Sequence, residues 1–175
     1  MAESFTNALR KSVGSLNTST SATIGINTTI ITGVTTSGVS VGNLVYNSYF
    51  NGGSRVTAIG SGQVTVDSSS SNTGIVTSQN VKFLGITTVY TAPEKSILIG
   101  GTLANNTTSQ VGAFVQVSSG STSYNLLYNV PVPAGSSVVI SDAGKTMLNT
   151  GDEIRVTSDV ANSLDVTLSI LRGVN

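Results

Sequence analysis

Between Leu164 and Ile170 the chain alternates without exception: Leu164, Val166, Leu168 and Ile170 are apolar, and Asp165, Thr167 and Ser169 between them are polar. Successive side chains of a strand point to opposite faces, so this run is suited to a strand with one buried face, whereas a helix would scatter the same residues around its circumference. Shorter runs of the same kind stand at Ser137–Ile140 and Glu153–Thr157. Between them lie turn residues: Pro133-Ala134-Gly135, Asn149-Thr150-Gly151-Asp152 and Asp159–Asn162. Upstream, Thr87–Thr91, Ser96–Leu103, Val111–Ser118 and Ser123–Val130 read as further strands. About seven short strands at regular spacing, broken by Gly, Pro and Asn, indicate an all-β antiparallel β-sandwich, jelly-roll or immunoglobulin-like in general architecture. Pro131 and Pro133 flank Val132, which places that segment on a sheet edge.

A second β-rich stretch precedes this one. Its runs are Thr23–Thr32, Gly42–Tyr46, Arg55–Ile59, Gln63–Val66 and Asn80–Leu84, with Gly60-Ser61-Gly62 as a hairpin connection. Ser15–Ala22 (SLNTSTSA) reads as a polar linker into it, and Ser68–Asn72 as a flexible polar loop. The expectation is a small β-barrel-like module over 15–85, a β-sandwich over 86–175, and an N-terminal attachment segment over 1–14.

Composition narrows the chemistry. The chain has 175 residues with 8 basic and 8 acidic side chains, and charged residues are 9% of the total, well below the roughly one quarter usual in soluble domains. Its surface must be built from Ser, Thr, Asn and Gly, with little charge repulsion to keep copies apart, which suits a protein that lives assembled as a homo-oligomer. So few cations argue against nucleic acid as a partner. Cysteine and histidine are absent, which removes disulfides, thiolate metal sites, Ser-His-Asp triads and ordinary zinc sites. No acidic residue stands between Glu3 and Asp67, so carboxylate-based catalysis and calcium binding find no ligands there. Asp142, Asp152, Glu153, Asp159 and Asp165 are the acidic cluster of the chain, and each reads as turn or strand surface. Catalytic residues, metal ligands and cofactors are all expected to be none. No run approaches the length of a membrane span, and the first fourteen residues hold no apolar core of signal-peptide length.

Two stretches stand out as contact elements. In residues 3–13, Phe5, Ala8 and Leu9 fall at i, i+3 and i+4, with Glu3 at the start, Arg10 and Lys11 at the end and Gly14 after them. A helix this short is marginal alone. The segment is therefore either a short helix docking its Phe5/Ala8/Leu9 stripe on a neighbouring subunit or an extended arm. Tyr46, Tyr49 and Phe50 cluster before Asn51-Gly52-Gly53; such a loop either stacks on a partner, for instance a sugar ring, or folds back over a small core.

The order TTVYTAP, an NTT loop, VPVPAGSS, LNTGDEIRVTS and NSLDVTLSIL resembles a small β-sandwich domain common in virion proteins of tailed bacteriophages. In that family a segment like LRKSVG passes almost directly into the TTVYTAP strand. Here Leu9–Gly14 and Thr87–Pro93 are separated by Ser15–Gly85, which reads as an insertion. The insertion, VGNLVYNSYFNGGSRVTAIGSGQVTV and onward to VKF, is similar to a short β module that recurs in phage structural proteins. It departs from that module at Asn51-Gly52-Gly53, where a Pro-containing turn normally falls. The resemblance implies a non-enzymatic structural protein located in the virion, an accessory or decoration protein of the head or neck. Its partners would be capsid or head–tail connector proteins. The alternative is a fibre or protrusion module that binds host glycans through the Tyr46–Gly53 loop.

Overall fold

The structure, a computed structural model, describes residues 3–50, 53–140 and 144–174, and every regular element in it is a β-strand. The chain forms two compact units: unit 1 is Met1–Gly14 with Thr87–Asn175, and unit 2 is Ser15–Ile86.

Unit 1 contains two antiparallel sheets. The first is built from β1 (Ser4–Val13), β9 (Ser96–Asn105), β12 (Ser137–Ile140), β13 (Thr146–Leu148) and β15 (Leu164–Arg172). Its order is β1-β15-β9-β12, with β13 also paired to β9. The second has the order β11-β10-β14-β8, where β8 is Thr87–Thr91, β10 Val111–Ser119, β11 Thr122–Val132 and β14 Glu153–Ser158. The apolar set of the last strand does what its alternation requires: Leu164, Val166, Leu168 and Ile170 are buried in one cluster with Leu98, Leu103, Val115 and Ile154. Strand β10 is covered on both faces. Val111, Ala113, Val115 and Val117 enter the core, while Phe114, on the opposite face, is buried and meets Tyr128 edge-on at 5.2 Å. Strand β11, which carries Pro131, lies at a sheet edge, where the missing N–H breaks no ladder.

Residues 4–13 are not a helix. They form β1, antiparallel to β15, with Ser4 opposite Arg172 and Ala8 opposite Leu168. Ser, Thr, Asn and Val give this segment little intrinsic helix preference, and the ladder offered by β15 outweighs one isolated turn of apolar spacing. In a strand the i, i+3, i+4 stripe is split: Ala8 packs toward the core, while Phe5 and Leu9 point the other way, 78% and 66% exposed. Val13 is buried, and the register shifts before it. There Ser12 takes φ +53° and donates its N–H to Asp165 Oδ1 at 2.8 Å.

Unit 2 is one six-stranded sheet of β2 (Ser15–Ile24), β3 (Ile30–Thr32), β4 (Leu44–Tyr46), β5 (Val56–Gly60), β6 (Gln63–Val66) and β7 (Val76–Gly85), in the order β4-β7-β2-β3-β6-β5. It is not a closed barrel. The two edge strands are tied by an isolated Leu44–Arg55 bridge and by flanking bonds such as Val45 N–H to Ser54 C=O, 2.8 Å, without a continuous ladder. Ser15–Ala22 is part of strand β2 and no linker: it pairs with β7, and Ser19 and Ala22 are buried. The Thr23–Thr32 run is broken by a turn after Ile24. That turn is stitched to residues 68–72, which are not a free loop. Ser70 N–H donates to Thr28 C=O, Ser70 Oγ donates to Gly25 C=O, and Asn72 Nδ2 donates to the carbonyls of Ile24, Gly25 and Gly74. The core of the unit is Ile24, Ile31, Val45, Val56, Val64, Val66, Val81, Phe83 and their neighbours. Of the Asn51-Gly52-Gly53 turn, Asn51 and Gly52 lie outside the described residues, as does Asp142.

Two consequences are measurable. Leu168 is fully buried and Thr167 exposed on the opposite face, so Leu168→Asp should abolish stable folding of unit 1, whereas Thr167→Asp should stay within about 0.5 kcal/mol of the parent in urea titrations. Replacing Asn72 by Ala removes a donor from three backbone carbonyls, of which Gly25 C=O keeps Ser70 Oγ, and should cost unit 2 about 1–3 kcal/mol. Asn72→Asp, which sets a carboxylate against those carbonyls, should cost more, read by hydrogen exchange of the β2 and β3 amides.

Candidate interaction surface

The outer face of the first unit 1 sheet is assembled by register. Phe5 lies opposite Leu171, Leu171 opposite Ile97, and Ile97 opposite Met147, so one apolar row crosses β1, β15, β9 and β13. A second row runs Leu9, Thr167, Thr102, Val139. Phe5, Leu9, Met147 and Val139 are each more than half exposed, and Ile99 also reaches solvent on β9. The polar positions between the rows, Asn7 and Ser169, meet Gly100, which has no side chain. An apolar face of this extent, built from one row of large side chains, is a feature of contact surfaces rather than of ordinary solvated sheet. Burying Phe5 and Leu9 against a neighbour would contribute on the order of 1.5–3 kcal/mol each. Ala8, grouped with them in the sequence, belongs to the core side and is no part of the face.

The three aromatic residues of unit 2 are distributed differently. Phe50 is buried in the core, 7% exposed, and its N–H donates to Asn47 C=O at 3.2 Å. Tyr46 lies under Lys82, whose Nζ is 5.8 Å from the ring centroid. Tyr49 packs partly on the core and lines a shallow cleft of about 410 Å³ with Ser48, Ser71, Asn72, Thr73 and Ile75. The cleft wall is fixed by Ser71, whose N–H and Oγ both donate to Tyr49 C=O, at 2.8 and 3.1 Å. Its chemistry is hydroxyl, amide and one phenol beside the apolar Ile75 and Val76, with no carboxylate or cationic side chain among its lining residues.

The acidic residues are separately employed. Asp152 accepts from Asn149 N–H at 2.8 Å inside its turn, Asp159 from Gly112 N–H at 2.6 Å, and Asp165 from Ser12. Glu153 pairs with Arg155 at 2.7 Å and accepts from Thr88 Oγ1. Among the described residues, no three carboxylates converge. Each therefore closes a turn or pins a strand end, as short side chains with strong acceptors do in β-proteins.

The row Phe5-Leu171-Ile97-Met147 is absent from the sequence reading, except for Phe5. Its four members come from strands distant in the chain, and only the β1–β15–β9–β13 register aligns them. The signal that marks such a row in a sequence is an apolar residue left on the polar side of an alternating run: Leu171 extends β15 beyond Ile170, and Met147 stands in a strand of three residues.

No protein-family model and no curated protein matches the chain. Among solved structures it is similar to a pentameric capsid protein from metagenomic phage sequences, with 22% identity and a TM-score of 0.31. The match covers 48% of this chain and 54% of that one, so the chain spans about half the length of the protein it matches. A TM-score of 0.31 does not define a shared fold, and the functional reading is built on the residues themselves.

Proposed function

We propose that this chain is a non-enzymatic structural protein of a tailed-phage virion, an accessory or decoration protein of the head or neck that acts through protein–protein contacts. The observation that carries this reading is the exposed apolar face centred on Phe5 and Leu9, where side chains from separate strands are aligned in rows by register, on a chain with few charged residues. The resemblance of TTVYTAP, VPVPAGSS and LNTGDEIRVTS to phage virion domains supplies the context. Capsid or head–tail connector proteins are the partners this face would meet, and repetition of one such contact around a ring or lattice holds every copy by multivalency. Unit 2 is an insertion between β1 and β8. Val13 and Val89 share the unit 1 core and β1 lies beside β8, so the two ends of the excursion return to the same neighbourhood.

A second reading, recognition of host glycans, is favoured by the cleft beside Tyr49, where hydroxyls and an amide surround an aromatic ring. A glycan array probed with the parent and with Tyr49→Ala separates it from the first, which requires no glycan binding.

Because β1 is a strand of the sheet, deleting it would uncover β15, so attachment is tested with point variants on its exposed side. Phe5→Ser/Leu9→Ser should leave the unfolding midpoint within about 0.5 kcal/mol of the parent and reduce co-sedimentation with particles lacking the protein by tenfold or more, since roughly 3–6 kcal/mol of apolar burial is removed. Wild-type occupancy by the double variant would end the attachment reading. Joining Gly14 to Ile86 should leave a folded all-β unit 1 with cooperative urea unfolding; failure to fold would mean that the two units share one core.

A further inference from the structure

Sheet edges present free backbone N–H and C=O groups, and native proteins blunt them by shortness, proline, bulges or charge. The edges of unit 1 are mostly treated this way. Strand β12 has 4 residues, β13 has 3 and β8 has 5. Strand β11 is long but contains Pro131 and, at Asn129, φ +49°. Strand β1 differs. From Ser4 to Arg10 it keeps unbroken register with β15, contains neither Pro nor Gly, and has β15 as its one strand neighbour among the described residues. The regular stretch ends at the shift after Arg10, where Ser12 adopts φ +53° and its N–H is taken by Asp165.

We propose that this edge is covered by β1 of a second copy of the chain, antiparallel, about a two-fold axis at Asn7. The proposal rests on reading β1 as a contact element, but it concerns the backbone edge and not the Phe5/Leu9 side-chain face. In this register Phe5 stands opposite Leu9 of the second copy, Thr6 opposite Ala8 and Ser4 opposite Arg10, with Glu3 and Lys11 facing each other just beyond the ends of the regular window. Apolar meets apolar twice and acid meets base twice, because a two-fold interface repeats each pair. A register slipped by one residue would turn the outer face of one copy against the inner face of the other. A register slipped by two would set Phe5 opposite Lys11 or Glu3 opposite Leu9. Of the antiparallel registers, the one centred on Asn7 matches both charge and hydrophobicity. The bulge at Ser12 limits the pairing to one short window, and once two copies have met, neither has a free β1 edge. The assembly therefore closes as a dimer and does not grow into a filament. It also doubles the apolar face, since the two copies place Phe5 and Leu9 side by side on one continuous sheet.

The chain has no cysteine, so a single introduced thiol reports the axis directly. Opposed residues of antiparallel strands have Cα atoms about 4.5–5.5 Å apart, within disulfide range. In the full-length protein at micromolar concentration under mild oxidation, Asn7→Cys should form a disulfide dimer at least tenfold faster than Thr167→Cys. Thr167 is an exposed position on the same face of the interior strand β15, three strand spacings, about 14 Å or more, from its own symmetry mate. Phe5→Cys mixed with Leu9→Cys should give the mixed disulfide. Glu3→Lys and Lys11→Glu should each weaken self-association, measured by sedimentation equilibrium, on the order of fivefold, and the double exchange should restore it. Equal rates for Asn7→Cys and Thr167→Cys, or a monomer at all concentrations, would overturn the pairing. A dimer whose charge exchange does not restore association would overturn this register. No particle is present in these measurements, so their outcome is independent of co-sedimentation.

Discussion

Strand β15 is hydrogen-bonded on both sides, to β1 and to β9, and drives Leu164, Val166, Leu168 and Ile170 into the space between the two sheets of unit 1. Four fully buried aliphatic side chains at roughly 1.5–3 kcal/mol each are comparable to the whole net stability of a domain. Its alternation also decides what β1 does. Once Leu168 faces inward, Ala8 opposite it must face inward and Leu9, opposite Thr167, must face out. The exposed face of the sheet is thus a by-product of how the core is filled, and its apolar content is a residue choice that the core does not require.

The strands legible in the sequence are those with chemical contrast between their two faces. Gln63–Val66, Thr87–Thr91 and Ser137–Ile140 are read with their observed ends, and Pro131 correctly marks an edge. Strand β2 was illegible because Ser, Thr and Asn occupy both its faces; Ser19 is buried through hydrogen bonds with Gly33 C=O and Thr35 N–H, a fact that no hydropathy pattern carries. For strand β1 the sequence leaves a short helix and an extended arm both open, because Phe5, Ala8 and Leu9 satisfy helical spacing over a single turn, and a single turn does not distinguish the two periods; the structure shows the extended form. Residues 68–72 looked like a loop because their composition is that of a loop; what orders them is the set of carbonyls that Ser70 and Asn72 satisfy. Of the contact face, Phe5 and Leu9 were legible as out-of-place apolar residues, whereas Ile97, Leu171 and Met147 join them through register alone.

Unit 2 shows how little apolar material a sheet needs when its turns are stitched. The turn after Ile24 and the segment ending in Asn72 exchange five hydrogen bonds through Ser70 and Asn72. Arg55 is held by its N–H to Asp67 and by its guanidinium to Gly42 C=O. These side chain–backbone bonds do for the open sheet what a continuous closing ladder would do for a barrel: they fix its edges without a second layer of core.

The antiparallel seam between β1 and β15 joins residues far apart in the chain: Ser12 and Asp165, bonded across it, are 153 positions apart. At roughly 5–20 residues per second of synthesis, β1 waits on the order of 8–30 s for its partner strand to be made. Unit 2, whose strands all lie within Ser15–Gly85, is complete long before that. Folding is therefore ordered in time: the intervening unit matures first, and unit 1 acquires its final edge strand last, by a pairing of high sequence separation that is intrinsically slow. A ribosome-bound or truncated chain lacking β15 has a β1 with no seat in the sheet and no finished contact face. Seating of β1 thus waits on the synthesis of β15, and the outer face that carries Phe5 and Leu9 forms only when that strand is in place.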